Sequence, residues 1–384
     1  MKITINQKAE ERLSKGHPWI FRSDLIQVEK EQAGSASVYN PKGKLLGEAL
    51  YSPKSLIALR MMTEGSERIN KALLQARIEK AYRQRSKIFP NSNVYRLVFG
   101  EADALPSLII DRYDDVVVFQ SLSAGMETYK IDIIQILQNL LPLRSIIERN
   151  DASIREKEGL PLLTQAVFGE APQELSIEID QKKLSFDPFE GQKTGFFLDQ
   201  RFNAHRAAQY AQGKVLDVFS YVGQFAVHAA EHAEEILCVD ASASAIARVQ
   251  KNAAFNQIIN IKTQCENAFD YLKACDQQKK KFDTISLDPP AFVKNRSALK
   301  QALRGYKEIN LRAMRLLEAG GILITSSCSQ HLQNEVMENL LMECARDAKR
   351  HIQVLEKRGQ PPDHPWLLSV PETNYLKCYI LRIE

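Results

Sequence analysis

The sequence predicts an α/β protein. Its second half reads as a doubly wound parallel sheet, preceded by a small β-rich unit and a central α/β domain. Three observations predict this. From about residue 200 onward, strand-like and helix-like segments alternate at short spacing, the pattern of a parallel sheet with helices on both faces. The first 68 residues or so are instead short apolar or alternating runs broken by turns. Finally, 384 residues exceed what one compact domain usually holds.

The elements follow in chain order. The runs "WIFRSDL", "SASVYNPKGKLLGEALYSP" and "SLIALRMM" read as strands, with a turn at Asn40-Pro41-Lys42-Gly43, so residues 1–68 form a small all-β unit. A helix then spans Asn70 to Pro90. Asn70 is placed to cap it, and Leu73, Leu74, Ile78, Ala81 and Tyr82 form one apolar stripe. This stretch carries six Lys/Arg against one Glu. Its basic side is either a solvated face or a phosphate-contacting one. Strand-like "VYRLVFG", "SLIIDRYDDVVVFQSL" and "SIIERN" around a helix-like "METYKIDIIQILQNLL" complete a central domain over 69–175. The last domain, 176–384, starts with a hairpin in "SIEIDQKKLSFDPF", whose two alternating segments flank Gln181-Lys182. Then come "KVLDVFS", "EILCVD", "IKTQC", "FDTISLDPP" and "GGILITSSC" as strands with helices between them.

Composition narrows the class. Hydrophobic content of 44% and charged content of 26% are ordinary for a soluble globular chain. No window of about 18 apolar residues exists, so no membrane span is expected. The start, "MKITINQKAEERLSKGHPW", has no apolar signal core, which argues against export and for the cytoplasm. Six cysteines, none in a CxxC pair, read as free thiols of a reducing compartment and not as disulfides or a zinc site. The net charge of +4 permits a polyanionic partner without demanding one.

Open α/β sheets bind ligands at the carboxyl ends of their strands. At the first such end, "VLDVFSYVGQF" supplies Asp217 and, opening the next helix, Gly223, where the missing side chain lets backbone approach a ligand. No GxGxxG is present, so no diphosphate cradle is visible. Asp240 closes the second strand, placed to accept both ribose hydroxyls, although an acid before a helix also serves as a cap. Asn267, after the third strand, is a candidate for an adenine edge. Ribose recognition without a diphosphate loop points to S-adenosylmethionine (SAM). The fourth strand ends in "LDPPAF": the prolines stop it, Asp288 faces the pocket, and Phe292 offers a ring for a flipped base.

The fifth strand ends in Thr325-Ser326-Ser327-Cys328-Ser329. A lone cysteine is most often a small buried thiol. Beside a SAM pocket and a DPP segment it has a chemical use. Carbon 5 of a pyrimidine is a poor nucleophile, and a thiolate added at carbon 6 activates it toward a methyl donor and leaves afterwards. Asp288 is placed to hydrogen-bond the base near nitrogen 3 and its amino group. The neighbouring serines read as strand-end caps.

The segments "KGHPWIF" (15–21), "GQKTGFFLDQR" (191–201), "LDVFSYVGQFAVHAA" (216–230), "LDPPAFVKNRSAL" (287–299), "TSSCSQH" (325–331) and "DHPWLLSVPETNYLKCYIL" (363–381) span nearly the whole chain. Together they resemble the bacterial family of large-subunit (23S) rRNA cytosine-5 methyltransferases with an N-terminal PUA domain. The resemblance implies a PUA-type β-barrel for 1–68, a class I SAM-dependent domain at the C-terminal end, and Cys328 as nucleophile. It also implies that Phe197, Asp199, Gln200 and Arg201 close a SAM pocket built with Asp217, Ser220, Gly223, Asp240, Asn267 and Asp288. Two departures stand out. Many RNA cytosine-5 enzymes carry a second cysteine in the DPP-like motif, where this chain has Ala291, so another group takes the carbon 5 proton. The third strand end reads Glu266-Asn267 where wider relatives have an aspartate.

The RNA would be held by charge and shape, with its target base single-stranded or flipped. The basic candidates are Arg77, Lys80 and Arg83 on the helix, and Lys294 and Arg296 after the DPP segment. A homodimer fits such a family, but no sequence feature demands one. Three rival readings remain at this level. DPP with an aromatic also fits methylation of an exocyclic base amine, with Cys328 as packing. A small-molecule methyltransferase would not need the β-rich docking unit. An RNA-binding assembly factor with a relict SAM site would bind RNA without turnover.

Overall fold

The computed structural model describes residues 1–191, 193–292 and 299–384. The chain divides into two compact units, described separately. The first comprises Met1–Leu175, Asp187–Leu198 and Pro362–Thr373; the second comprises Ser176–Phe186, Asp199–Pro361 and Asn374–Glu384.

The first unit opens with a six-stranded sheet in the order Trp19–Phe21, Ile57–Met61, Leu45–Tyr51, Gly34–Tyr39, Lys2–Ile5, Leu25–Val28. Its pairs are antiparallel except that Lys2–Ile5 runs parallel to Gly34–Tyr39. Ile3, Ile5, Ile20, Val38 and Leu59 fill its core. The turn predicted at Asn40 is there, and the Asn40 side chain accepts from the amides of Lys42 (3.0 Å) and Lys44 (2.9 Å), so the asparagine shapes the turn itself. The expectation of an all-β start needs one correction, a helix over Gln7–Ser14. Its first turn is capped by Asn6, which accepts from Ala9 N at 2.9 Å, and only Ala9 is buried. A helix with so narrow an apolar face leaves little periodic trace.

The basic helix spans Lys71–Ile88, capped by Asn70 as predicted (Leu73 N to Oδ1, 2.9 Å). It buries Leu74, Ile78, Ala81 and also Arg85. The apolar stripe therefore continues through a cation, and Arg85 is no part of a solvated face. A five-stranded sheet follows, ordered Leu163–Gly169, Ser145–Asn150, Val116–Ser121, Leu108–Tyr113, Val94–Phe99, with helix Lys130–Leu140. The first of these strands was not anticipated; its residues are half-buried or exposed, which blurs alternation. Charges buried here are paired. Arg85 holds Asp103 through two bonds (2.6 and 2.7 Å) and Arg96 holds Asp111 the same way (2.8 and 2.7 Å).

The second unit begins within a hairpin of Leu175–Ile179 and Lys182–Phe186, all but Leu175 of which belongs to it. Its turn is Asp180-Gln181, one residue earlier than the sequence places it, with φ of +49° and +65°. Two successive left-handed residues match the right-handed twist of a hairpin.

The main sheet has seven strands: β1 (Lys214–Val218), β2 (Glu235–Asp240), β3 (Ile261–Cys265), β4 (Phe282–Leu287), β5 (Leu317–Ser327), β6 (Ile352–Arg358) and β7 (Lys377–Ile383). Their order is β3-β2-β1-β4-β5-β7-β6. All neighbours pair in parallel except along β7, which is antiparallel to both β5 and β6. The order reverses between β1 and β4, the place where such sheets open a ligand crevice. Among the described residues, six helices accompany the sheet: α1 (Arg201–Ala208), α2 (Gln224–Ala229), α3 (Ala243–Phe255), α4 (Ala268–Gln277), α5 (Leu299–Leu316) and α6 (Asn334–Ala348). The two-residue period of the strands divides the core. Leu216, Val218, Ile285, Leu287 and Leu323 pack with α4, α5 and α6, while Val215, Ile236, Ile324 and Ile380 pack with α1, α2 and α3. Apolar side chains on both faces make central strands such as β1, β4 and β5 near-continuous hydrophobic runs, which is why they are legible in the sequence; β6 and β7 were not anticipated.

Candidate active site

Register lines up the strand ends. Val218 pairs with Val239 on one side and with Leu287 on the other, and Leu287 pairs with Thr325. Asp240, Asp288 and Cys328 therefore leave the sheet at one edge, within four adjacent strands. Asp217 stands one residue inside this edge and is fully enclosed. Burial pushes its carboxyl up to about 8, the Ser286 hydroxyl pulls it back, and the carboxylates of Asp288 and Asp240 push it further. The mutual repulsion places the three aspartates in one electrostatic neighbourhood. Among the described residues, Asp217 Oδ2 and Ser220 Oγ are buried without a hydrogen-bond partner. Buried polar atoms are rarely left so, and Ser220 belongs to the strand-end loop that follows β1.

That loop is strained in a way that shapes the site. Phe219, Tyr221 and Gly223 have φ of +63°, +47° and +81°. Two of the three are not glycine, a conformation that surrounding contacts must hold. Phe219 and Ser220 amides bond Val239 O (2.9 and 3.2 Å), and the Tyr221 amide donates to Asp240 Oδ2 (3.0 Å). Gly223 opens α2; a Cβ there would lie 3.1 Å from Val249 of α3, so its bare backbone lets the loop approach that helix. The space a side chain at Gly223 would take is thus filled by Val249, a second reason for glycine beside the backbone's approach to a ligand expected from the sequence.

Asp240 also accepts from Ser242 N (2.9 Å). Its two oxygens are thus aimed by two backbone amides while each keeps a further lone pair for ribose hydroxyls. Asn267 is the N-cap of α4, its Oδ1 accepting from Phe269 N (2.9 Å) and Asp270 N (3.4 Å). Its carbonyl is therefore committed to the helix, and its side-chain amide is what remains for a base edge.

Asp288 accepts from Gln200 Nε2 (2.8 Å), and Gln200 in turn accepts from Asn203 Nδ2 (2.8 Å). Asp199 accepts from Tyr375 OH (2.7 Å), and Arg201 pairs with Asp180 (3.1 Å). Of the four residues expected to close the pocket, Asp199, Gln200 and Arg201 belong to this unit, and Gln200 is tied directly to Asp288. Phe197 belongs to the first unit, where Lys193 Nζ lies 4.8 Å from its ring centre. Phe292, expected to stack on a base, joins Phe219, Phe269 and Tyr306 in one aromatic cluster (centroids 4.7 to 6.3 Å from its own).

Cys328 is half-buried just past β5, unlike Cys238, Cys275, Cys344 and Cys378, which are buried. Its flanks are fixed. Ser327 Oγ lies 2.9 Å and Ser329 Oγ 3.0 Å from the hydroxyl of Tyr306 on α5. The serines thus do more than cap the strand, since they anchor both sides of the thiol to a helix. Lys377 of β7, 4% exposed, donates to Ser329 O (2.9 Å) and Tyr375 O (3.0 Å). Sequence reasoning missed Tyr306, Tyr375 and Lys377. A lysine within the buried run "YLKCYIL" was the available signal.

Of the RNA candidates, Lys80 and Arg83 are exposed, Arg83 beside Glu79 (3.7 Å). Arg77 is half-buried and donates to the carbonyls of Ala104 and Met62. Lys294 and Arg296 lie outside the described residues.

A cluster of three aspartates with one unpartnered buried oxygen, on Asp217, at the switch point of this strand order suits an adenosine ligand that is itself cationic. The comparisons agree with that geometry. A model of a PUA-like domain matches residues 3–64, and a model of a methyltransferase domain matches 210–366. A protein of Tolumonas auensis named ribosomal RNA large subunit methyltransferase I is 39% identical over 99% of this chain and 98% of its own length. One of the same name from Yersinia pseudotuberculosis is 38% identical over 100% and 99%.

The chain belongs to the ribosomal RNA large subunit methyltransferase I family.

Solved structures place the fold of this family member. SMU.776, described as a methyltransferase in complex with S-adenosylhomocysteine (SAH), superposes with a TM-score of 0.87 over the whole of both chains at 20% identity. A SAM-dependent methyltransferase from Streptococcus mutans gives 0.85, also at 20%. The fold is that of SAM-dependent methyltransferases, with a PUA-like domain at the start. Among the described residues, no helix is long and apolar enough to cross a membrane.

Proposed function

We propose that this chain methylates carbon 5 of a cytosine in large-subunit (23S) ribosomal RNA, in the cytoplasm, through a covalent adduct at Cys328. The observation that carries the proposal is the place of Cys328. It is a partly accessible thiol at the end of β5, one strand from Asp288, with its neighbours pinned by Tyr306. The names of the full-length relatives support the RNA; the thiol supports the carbon 5 chemistry.

SAM supplies an electrophilic methyl group. It is held by Asp240 on ribose hydroxyls and by the oxygens of Asp217 and Ser220, with Gly223 shaping the loop and the Asn267 amide at the base edge. Asp199, Gln200 and Arg201 flank the pocket in this proposal. The Cys328 thiolate forms a bond to carbon 6 of the target cytosine, and the electron pair of the 5,6 double bond becomes available at carbon 5. Asp288, with one oxygen fixed by Gln200, accepts from the base amino group and holds the ring over Cys328. The pair at carbon 5 forms the bond to the methyl group, and the donor departs as S-adenosylhomocysteine with the pair of the broken sulfur–methyl bond. A base other than a second cysteine, since Ala291 stands at that place, takes the carbon 5 proton. The pair of that carbon–hydrogen bond rebuilds the 5,6 double bond, and sulfur leaves with the electrons of the carbon–sulfur bond. Lys80 and Arg83 contact phosphates, and the target base is single-stranded or flipped.

The test uses unmodified 23S rRNA, methyl-labelled SAM, and the wild type beside Cys328→Ala. We expect label in 5-methylcytidine and a loss on the order of 10⁴-fold or more in the variant, as when a nucleophile is removed. Label in a methylated exocyclic amine, or activity that survives Cys328→Ala, would make Cys328 packing and leave the chemistry to Asp288.

A further inference from the structure

We infer that Lys377 is the positioning residue that generates the Cys328 thiolate, taking the thiol proton on Nζ and standing beside the sulfur as its counter-cation. This deepens the proposed reaction and rests on Cys328 as its nucleophile.

The geometry begins with register. Lys377 is the rung partner of Ser327 across the antiparallel β5–β7 pair, yet its Nζ bonds the carbonyl of Ser329, at 2.9 Å. The side chain therefore reaches from the rung before Cys328 to the carbonyl after it, and so runs alongside Cys328. The second acceptor, Tyr375 O at 3.0 Å, fixes the amine from the other side. Both acceptors are neutral carbonyls. Among the described residues Lys377 forms no ion pair, and it is 4% exposed. A buried ammonium with only neutral partners is expensive, and an anion placed against it removes most of that cost. Cys328 is the group positioned to become that anion, because it stands between Ser327, the rung partner of Lys377, and Ser329, whose carbonyl holds Nζ.

The proton balance is simple. The sulfur–hydrogen bond breaks, its electron pair stays on sulfur, and the proton binds the lone pair of Nζ. A neutral amine has two N–H donors for its two carbonyls and one lone pair left for that proton. Burial lowers the amine to about 8, close to the usual thiol value, so the transfer costs little in either direction. Three other titratable groups among the described residues of the neighbouring elements are disposed differently. Tyr306 on α5 is pushed up by burial and stays a neutral phenol. Asp288, at the end of β4, has one oxygen occupied by Gln200. His331, farther along the segment that carries Cys328, is exposed to solvent.

The experiment is alkylation of the full-length protein by iodoacetamide from pH 5.5 to 10, with modification at Cys328 read by peptide mass spectrometry. In the wild type we expect an inflection below 8. In Lys377→Met it rises by about one to two pH units, with a corresponding fall in rate at pH 7, and Lys377→Arg restores part of the shift. A wild-type inflection at or above 8.5 overturns the proposal and needs no variant. So does an unchanged inflection in Lys377→Met whose thermal melt shows it folded. Alkylation needs neither RNA nor SAM, so this result is independent of which nucleoside is methylated. Transfer of label to an amine would sink the cytosine reading while the Cys328 titration still reports on Lys377.

Discussion

Buried charge is handled differently in the two units. In the first, charge meets opposite charge. Arg85, itself 1% exposed, grips Asp103 by two bonds, and also donates to Arg96 O (3.1 Å) and Asp363 O (3.0 Å). Arg96 grips Asp111, which accepts from Thr194 as well (2.5 Å). At the strand ends of the second unit, Asp217 meets two further carboxylates and one serine, and keeps an oxygen without a partner. A closed network of this kind builds a scaffold, whereas a cluster of like charge stays open to a cationic ligand. The contrast separates structural ionisable residues from functional ones without reference to any relative.

Breaking the closed network has the largest expected effect. Arg85→Ala leaves Asp103, 3% exposed on its side chain, without its cation, and should cost about 3–5 kcal/mol. Denaturant unfolding measures it. The double variant Arg85→Met/Asp103→Leu should recover much of the loss, because the penalty lies in the stranded charge and not in the missing bond. Equal destabilisation by the single and double variants would mean that the contacts to Arg96 O and Asp363 O carry the energy.

The open cluster should respond in the other direction. The raised Asp217 carboxyl means that the folded protein holds a proton which the unfolded chain loses above its ordinary value near 4. Stability then falls as pH rises from about 4 to about 8, and is level above that. Asp217→Asn removes this slope. Near pH 8 the variant should be more stable than the wild type by about 1 kcal/mol or more, and the gap should close toward pH 4. The same substitution should weaken SAM binding, since it removes the oxygen left for the ligand. Thermal melts across pH, paired with SAM titration, read both. A variant that is less stable at pH 8 would place Asp217 with the paired charges of the first unit.

The same contrast explains what the sequence revealed. Five strands of the seven-stranded sheet were legible, the central ones because they are largely buried and punctuated by Asp217, Asp240 and Asp288 at or near their ends. β6 and β7 were not, and the half-buried or exposed residues of β6 blur its alternation. Cys328 was legible because its residue type is rare at such a position. Lys377 and Arg85 were not. Each sits inside an apolar pattern, on β7 and on the basic helix, and each reads as an exposed cation until the partners distant in sequence are known. Asp363, 278 residues from Arg85, is one such partner. The helix Gln7–Ser14 was missed for a local reason, since one buried alanine gives no stripe. Segments 187–198 and 362–373 fold with the first unit through pairings such as Thr194 with Asp111 and Asp363 with Arg96, which no periodicity encodes.

The finest test of the comparison lies within one helix, where the two ways of using a cation are six residues apart. Arg77 is half-buried, its ionisation disfavoured by that burial, with its guanidinium on two backbone carbonyls. Lys80 and Arg83 point their charges to solvent. If the exposed pair holds RNA phosphates, Lys80→Ala and Arg83→Ala should each weaken RNA binding by up to about tenfold and flatten the log–log salt dependence by about 0.7 to 1. Neither should change the melting temperature appreciably, because exposed cations of this kind contribute little to stability. Arg77→Ala should do the reverse, lowering the melting temperature while leaving the salt slope as it was. Filter binding at several salt concentrations, with melts of the same preparations, decides it. A salt slope that moves with Arg77 and not with Lys80 or Arg83 would mean that the exposed side of this helix is only a solvated face.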